Sequence, residues 1–201
     1  MESKEKISDD DRELRRKLFL EKNLAYDQLG TYALICEDVK IWGSVFQALT
    51  RLGFYSSIFY RISRCLVKHR LSFIGRAIQF LSTLLTGAEI SNKAIIGPGL
   101  KILHASGVLI GPTTILGARS VICECSSITG GREKVGIEKQ IIGDSIWLSA
   151  GGRIMGDVIL GDKVWIGPNS VVLKDVKSNM MAFGIPARVV PEVFQFRYKG
   201  K

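Results

Sequence analysis

The sequence predicts a mainly-β fold, a parallel β-helix of hexapeptide repeats preceded by an α-helical region. Three observations predict it. A branched aliphatic residue recurs every six residues from Ile90 to Val172. Glycine often follows that residue, as at Gly97, Gly111, Gly117, Gly143, Gly161 and Gly167. The spacing of three and four typical of helices is confined to the first 86 or so residues.

The helical half comes first. Leu14 and Leu18, then Phe46, Leu49 and Leu52, recur at helical spacing, and glycine is sparse. The stretch "SFIGRAIQFLSTLLTG" at 72–87 is the most apolar of this half, but Arg76 and Gln79 interrupt it. It falls short of the roughly 18 apolar residues needed to span a bilayer. A helix packed on its neighbours with a basic outer face is expected, with contact to a membrane surface as the alternative.

The repeat itself can be counted. Ile90, Ile96 and Ile102 set the period; after a slip of two it resumes at Ile110, Leu116, Ile122 and Ile128. Beyond "TGGREKVGIEKQI" it returns at Ile142, Leu148, Ile154, Leu160, Ile166 and Val172. A period of six gives one short strand and one tight turn per unit, and three units close one turn of a triangular coil. The aliphatic residue points inward and stacks on its counterparts, while a corner glycine leaves room for the backbone. The expected organisation is a helical region 1–86, slightly more than four coils over 87–190, and a tail 191–201.

Composition narrows the function. The chain has 201 residues, 46% hydrophobic and 23% charged, which are globular values. A formal charge of +9 suits phosphate-bearing ligands or anionic surfaces, but aromatic interleaving and nucleic-acid motifs are missing, so no nucleic acid is expected. Cys36, Cys65, Cys123 and Cys125 have neither zinc spacing nor a disulfide framework and read as reduced thiols of a cytoplasmic protein. The opening "MESKEKISDDDRELRRK" has no apolar core, so no secretory leader is expected. His104 and His69 are the two histidines, too few for a three-histidine metal site on the coil, and no metal is expected.

His104 lies in "KILHASGVLIG", where the period slips. It reads either as a histidine satisfied within the coil or as a base for which the slip opens the wall.

Several stretches resemble the hexapeptide acyltransferases, and within them serine O-acetyltransferase and its relatives, from about Asp38 to Val190. "EDVKIWGSVFQALTRLGFYSSIFYRISR" is similar to that family's helical segment, and "GPGLKILHASGVLIG" resembles its active-site stretch. "ITGGREK" matches the start of its mobile loop, and "AFGIPARVV" its closing motif. The resemblance implies a left-handed coil and acetyl-CoA as acyl donor. It places His104 as catalytic base and Glu89 as its carboxylate partner, where the family has aspartate. For the donor it implies Gly130, Ala150 and Pro168 along a groove, with Arg153 and Arg188 for phosphates.

The acceptor site departs from the family. Its Arg-His pair falls on Glu138 and Lys139, the aspartate before the catalytic histidine is Leu103, and only Asp38 survives. Arg132 is a candidate substitute. Bound serine would leave both charges poorly paired, so a sugar hydroxyl of a surface-polysaccharide pathway is expected, with L-serine as the alternative and a non-catalytic β-helix scaffold as the alternative of another class. The resemblance further implies a homotrimer, extended in some relatives to a dimer of trimers. Localisation is expected to be cytoplasmic, with the inner face of the membrane as its alternative site.

Overall fold

The computed structural model describes residues 9–130 and 139–191. Five helices come first: α1 (Asp9–Asp27), α2 (Thr31–Lys40), α3 (Val45–Leu49), α4 (Leu52–Lys68) and α5 (Ser72–Thr86). The chain then winds into stacked three-sided coils. β1 (Glu89–Ile90), β2 (Ile95–Ile96) and β3 (Lys101–Ile102) form the first. The second is β4 (Leu109–Ile110), β5 (Thr114–Leu116) and β6 (Val121–Ile122), and the third β7 (Ser127–Thr129), β8 (Gln140–Ile142) and β9 (Trp147–Leu148). The fourth is β10 (Arg153–Met155), β11 (Val158–Leu160) and β12 (Trp165–Ile166). A partial fifth has β13 (Val171–Val172), an isolated bridge from Val176 to Leu160, and β14 (Met180–Phe183). β15 (Arg188–Pro191) folds back antiparallel on β14.

Each side of the prism is one parallel sheet, ordered β1-β4-β7-β10-β13 on the first side and β2-β5-β8-β11 on the second. The third runs β3-β6-β9-β12-β14. The architecture is the left-handed parallel β-helix with leading helices that the sequence implies. All thirteen repeat positions, from Ile90 to Val172, are at most 4% exposed and form one column of side chains. Each such side chain contributes about 1.5–3 kcal/mol of burial. The glycines after them serve close coil spacing: a Cβ on Gly117 would stand 2.5 Å from the Gly143 carbonyl carbon in the next coil.

Registers explain the slip. Ile154 sits opposite Val172, eighteen residues on, but Ile90 sits opposite Ile110, twenty on. The two extra residues fall in the corner between the third and first sides. That corner takes four residues in the upper coils, as at 123–126 and 149–152, and six at 103–108.

α1 runs along the coils as an ionic strap. Arg12 pairs with Asp175 at 2.8 Å and with Asp157 at 3.3 Å, and Lys22 pairs with Asp144 at 2.8 Å and Asp162 at 3.1 Å. Its buried Asn23 donates to the Ile142 carbonyl. All four aspartates also stitch coil to coil: Ala118 N–H donates to Asp144 Oδ1, Asp144 N–H to Asp162 Oδ1, Lys139 N–H to Asp157 Oδ1 and Ile159 N–H to Asp175 Oδ1. Burial would raise the Asp157 carboxyl, but the Lys139 N–H and then the Arg16 and Arg12 charges hold it below its ordinary range.

α5 corrects the expectation of an apolar packed face with a basic outer one. Its buried positions are Gly75, Ser82 and Thr86, while Phe73, Ile74, Phe80, Leu81, Leu84 and Leu85 are exposed. Gly75 lets α5 approach α4 closely, where Ser63 Oγ donates to its carbonyl at 2.6 Å. Leu14, Leu18, Phe46, Leu49 and Leu52, whose spacing marks the helices, are likewise exposed.

A buried ion pair seats the helices on the first coil. Arg61 Nε lies 2.9 Å from Asp38 Oδ2, and the guanidinium donates further to Asp38 Oδ1 and to the carbonyls of Ile96 and Gly97. Leu100 N–H donates to Asp38 at 2.8 Å. Burial alone would lower the Arg61 pKa, but the Asp38 charge holds it above its ordinary value. Removing one partner of such a pair costs about 3–5 kcal/mol. Asp38→Ala is therefore expected to lower stability by that amount in urea denaturation, and a loss below about 1 kcal/mol would show that the pair does not seat the helices.

Candidate active site

His104 stands exposed on the widened corner, two residues beyond β3. The loop 103–108 closes back over the start of the first coil: Gly107 N–H donates to Gly87 O, and Glu89 N–H to Val108 O at 2.8 Å. Glu89 is exposed at the same corner, one coil below Leu109, its partner in the sheet. Backbone pairing thus sets both predicted catalytic positions at this corner of the coil, and no hydrogen bond joins His104 and Glu89 among the described residues.

The helices supply the facing wall. Gly53 of α4 rests so close to β3 that a Cβ there would stand 1.8 Å from the Ile102 carbonyl oxygen. This seating packs Trp42, Ala48 and Phe54 into a small apolar cluster, with Leu103 against it. Between that cluster and His104 lies a pocket of about 340 Å³ whose lining includes Trp42, Arg51, Lys101, Leu103 and His104. Lys101 Nζ is held 3.2 Å from the Ile41 carbonyl and 4.7 Å from the centre of the Trp42 ring. Burial first, and the Arg51 charge second, lower the Lys101 pKa below its ordinary value. The Trp42 indole N–H is buried and finds no acceptor among the described residues. A second cleft, about 410 Å³ between α1 and the upper coils, is lined by Arg15, Phe19 and Asp175 among others and has no histidine in its lining.

Trp42, Arg51 and Lys101 are the residues the sequence reading misses. Lys101 stands in the same stretch as His104, at the start of β3, whereas nothing in their spacing links Trp42 and Arg51 to it; only the seating of α4 on β3 brings those two there. Of the predicted acceptor residues, Leu103 is at the pocket, as part of its apolar wall. Asp38 is a correction: fully buried against Arg61 and the Leu100 N–H, it does not line the pocket. Lys139 is also corrected, lying at the foot of β8 on the second side with its N–H on Asp157, apart from this pocket. Glu138 and Arg132 lie outside the described residues.

The predicted donor residues divide. An edge of backbone bonds runs up from the His104 corner: Leu103 N–H donates to Ile122 O, Cys123 to Leu148, Ser149 to Ile166 and Gly167 to Ala182. Ala150 and Pro168 lie on this edge, joined through the Asn169 N–H that donates to Ala150 O. Arg153 opens β10 just past the same corner, and Arg188 sits opposite Phe183 at its top, both exposed. Gly130 does not join them; it follows β7, at the corner between the first and second sides. Cys123 is buried on the edge, and burial with the Glu124 charge pushes its thiol up to about 11, so it is no nucleophile near neutral pH. All four cysteines are free thiols.

Among the described residues, no group of three or more His, Cys, Asp or Glu side chains is arranged to hold a metal ion, and no helix is long and apolar enough to cross a membrane.

No family model matches the chain. Individual relatives do. The serine acetyltransferase of Helicobacter pylori strain J99 is 36% identical over 138 residues, covering 69% of this chain and 81% of the relative. That of Synechococcus elongatus is also 36% identical over 138 residues, but the match spans only 57% of its length. Among solved structures, soybean serine acetyltransferase complexed with serine superposes with a TM-score of 0.74 at 26% identity, over 80% of this chain and 69% of that one. A serine acetyltransferase in complex with CoA matches with a TM-score of 0.63 at 27% identity, over 69% of this chain and 57% of that one.

The seating of α4 can be tested apart from any chemistry. Gly53→Ala is expected to destabilise the protein by about 1–3 kcal/mol, because the methyl meets backbone that cannot turn aside. Gly30→Ala, with nothing within 4 Å of the added Cβ, is the control and should change stability by less than about 0.5 kcal/mol.

Proposed function

The chain belongs to the serine acetyltransferase family, and from that premise we propose that it is an acetyl-CoA-dependent O-acetyltransferase with His104 as general base. The observation that supports this reading is the placement of His104: exposed on a corner widened by two residues, with a pocket opening against it.

Bound acetyl-CoA supplies the activated acyl group as a thioester. His104 takes the proton of the acceptor hydroxyl as the new carbon–oxygen ester bond forms. It returns that proton to the thiolate released when the carbon–sulfur bond breaks, so the base is regenerated. Glu89 orients the imidazole and stabilises its charged form, the role a carboxylate has beside a histidine base. Ala150 and Pro168 border the donor along the edge above, where backbone is exposed beside small side chains, and Arg153 and Arg188 offer cations for its phosphates. Gly130 belongs to this reading only through a second copy of the chain, since within one copy it lies at another corner.

The names of the relatives support L-serine as acceptor in place of the polysaccharide sugar expected from the altered residues. His104→Ala is expected to lower kcat by about 10²–10⁴-fold, and Glu89→Gln by a smaller factor. The check is turnover of labelled acetyl-CoA against a panel of L-serine, sugars and nucleotide-sugars. Turnover that survives His104→Ala intact would sink the catalytic reading and leave the scaffold. Preference for a sugar over serine would restore the acceptor first expected.

The outward apolar face of α5 supports association with further copies of the chain, and the family resemblance makes a homotrimer the assembly proposed. Light scattering is expected to give three times the 22.2 kDa chain mass, shifting to one chain on Phe80→Asp. A monomeric wild type would overturn this assembly.

A further inference from the structure

We infer that the outer face of the α4–α5 hairpin docks on an anionic lipid bilayer, with both helices lying flat on its surface. Such docking does not depend on the chemistry at His104.

Both helices rest on the first coil and turn an apolar face away from it. On α4, Tyr60 donates its hydroxyl to the Ala94 carbonyl at 2.8 Å, Arg61 reaches the carbonyls of Ile96 and Gly97, and Gly53 meets Ile102. The opposite side of α4 carries Leu52, Tyr55, Phe59, Ile62 and Leu66, spaced three and four apart, and Leu52, Tyr55 and Ile62 are exposed. On α5, Gln79 accepts from the Asn92 N–H and Thr83 donates to the Ala88 carbonyl, which fixes its coil-facing side. Ile74, Leu81 and Leu85 lie about half a turn round from those two and are 48%, 44% and 58% exposed. Because Gly75 brings α5 onto Ser63 and Val67 of α4, the two outer faces join into one apolar surface. Phe73, Phe80 and Leu84 point elsewhere, away from the α4 seam of Gly75, Ser82 and Thr86, and stay available to neighbouring copies.

Charge decides what covers this surface. Between Asp38 and Glu89 the sequence has no Asp or Glu but seven Lys or Arg. Asp38 holds Arg61, and Asp27 holds Arg64 and Lys68. Arg70, in the turn between the helices, and Arg76 of α5 are exposed beside the apolar face, and Arg51 precedes α4 at the other end of the hairpin. A second copy docked face to face would set these cations against themselves, with no carboxylate from either helix to meet them. Anionic lipids offer hydrocarbon to the leucines and isoleucines and negative headgroups to the arginines, whose long side chains reach out from an apolar face. With 15 residues α5 is too short to span a bilayer, so the contact is with its surface. The His104 corner belongs to the first coil, so docking sets the pocket at the lipid-proximal end of the prism.

Flotation of the full chain with vesicles tests this, using phosphatidylcholine alone or mixed with phosphatidylserine. The wild type is expected to float with the mixed vesicles, to bind phosphatidylcholine alone about tenfold less or weaker still, and to lose binding as KCl is raised. Leu81→Asp, and Arg70→Glu combined with Arg76→Glu, are each expected to weaken binding to the mixed vesicles about tenfold or more. Light scattering and circular dichroism of both variants are expected to match the wild type. A wild type that stays with neither vesicle, or binds both equally, overturns the inference without any variant having to fold. Binding that survives both substitutions in folded protein places the contact elsewhere and also overturns it. A wild type that ignores vesicles while Leu81→Asp lowers the mass of the assembly gives the surface to a second copy, again against the inference.

Discussion

The carboxylate of Asp38 and the guanidinium of Arg61 meet where neither touches water, at the seam between the helices and the first coil. Taking both charges out of solvent costs several kcal/mol, and their attraction offsets this only when the remaining hydrogen-bonding groups are satisfied. Here they are: the guanidinium also reaches the carbonyls of Ile96 and Gly97, and the carboxylate accepts from Leu100. Those backbone groups sit at the turn between β2 and β3, so the pair ties α2 and α4 to the stretch of coil that leads into His104. With α4 in place, Gly53 fits against Ile102, Trp42 packs on Leu103, and Arg51 arrives opposite Lys101. The pocket is a product of that one seam.

Two kinds of order meet there. The coil repeats, so each of its inward residues has nearly the same environment as its counterparts one coil away, and its energetics are a column of nearly equal terms. The helices do not repeat and hold to the coil at particular places, through the α1 strap on Asp144, Asp157, Asp162 and Asp175 and through the Asp38–Arg61 pair. The proposed site lies where the repeat is interrupted and a non-repeating element packs beside the interruption. The His104 corner meets both conditions, and the corners at Cys123 and Ser149, four residues long, do not meet the first.

What could be read from the sequence follows from the same division. The thirteen aliphatic positions were legible because one physical requirement, an inward side chain in every unit, recurs often enough to count. The slip at His104 was legible as a break in that count. Trp42, Arg51 and Lys101 were not, because they meet through tertiary packing between segments some fifty residues apart. Asp38 was legible as significant but not in its role, since an aspartate looks the same in sequence whether it faces a ligand or a buried arginine. Helical spacing showed where helices lie but not which face they bury. In α5, close approach to α4 selects small residues for the inside and leaves the large ones outside.

The ladder of backbone bonds from Leu103 to Gly167 has a further consequence. Coils stack at the strand spacing of about 4.8 Å, so the separation between the His104 corner and any corner above it on this edge is a whole number of coils. Such a molecule has no fine adjustment along its axis. Adding or deleting eighteen residues moves an anchor by one full step, while the loss of one residue rotates every later side chain out of its column. The reach of any ligand lying along this edge would thus be measured in integers, and small corrections to its fit would come sideways, from the side chains and the helices beside it.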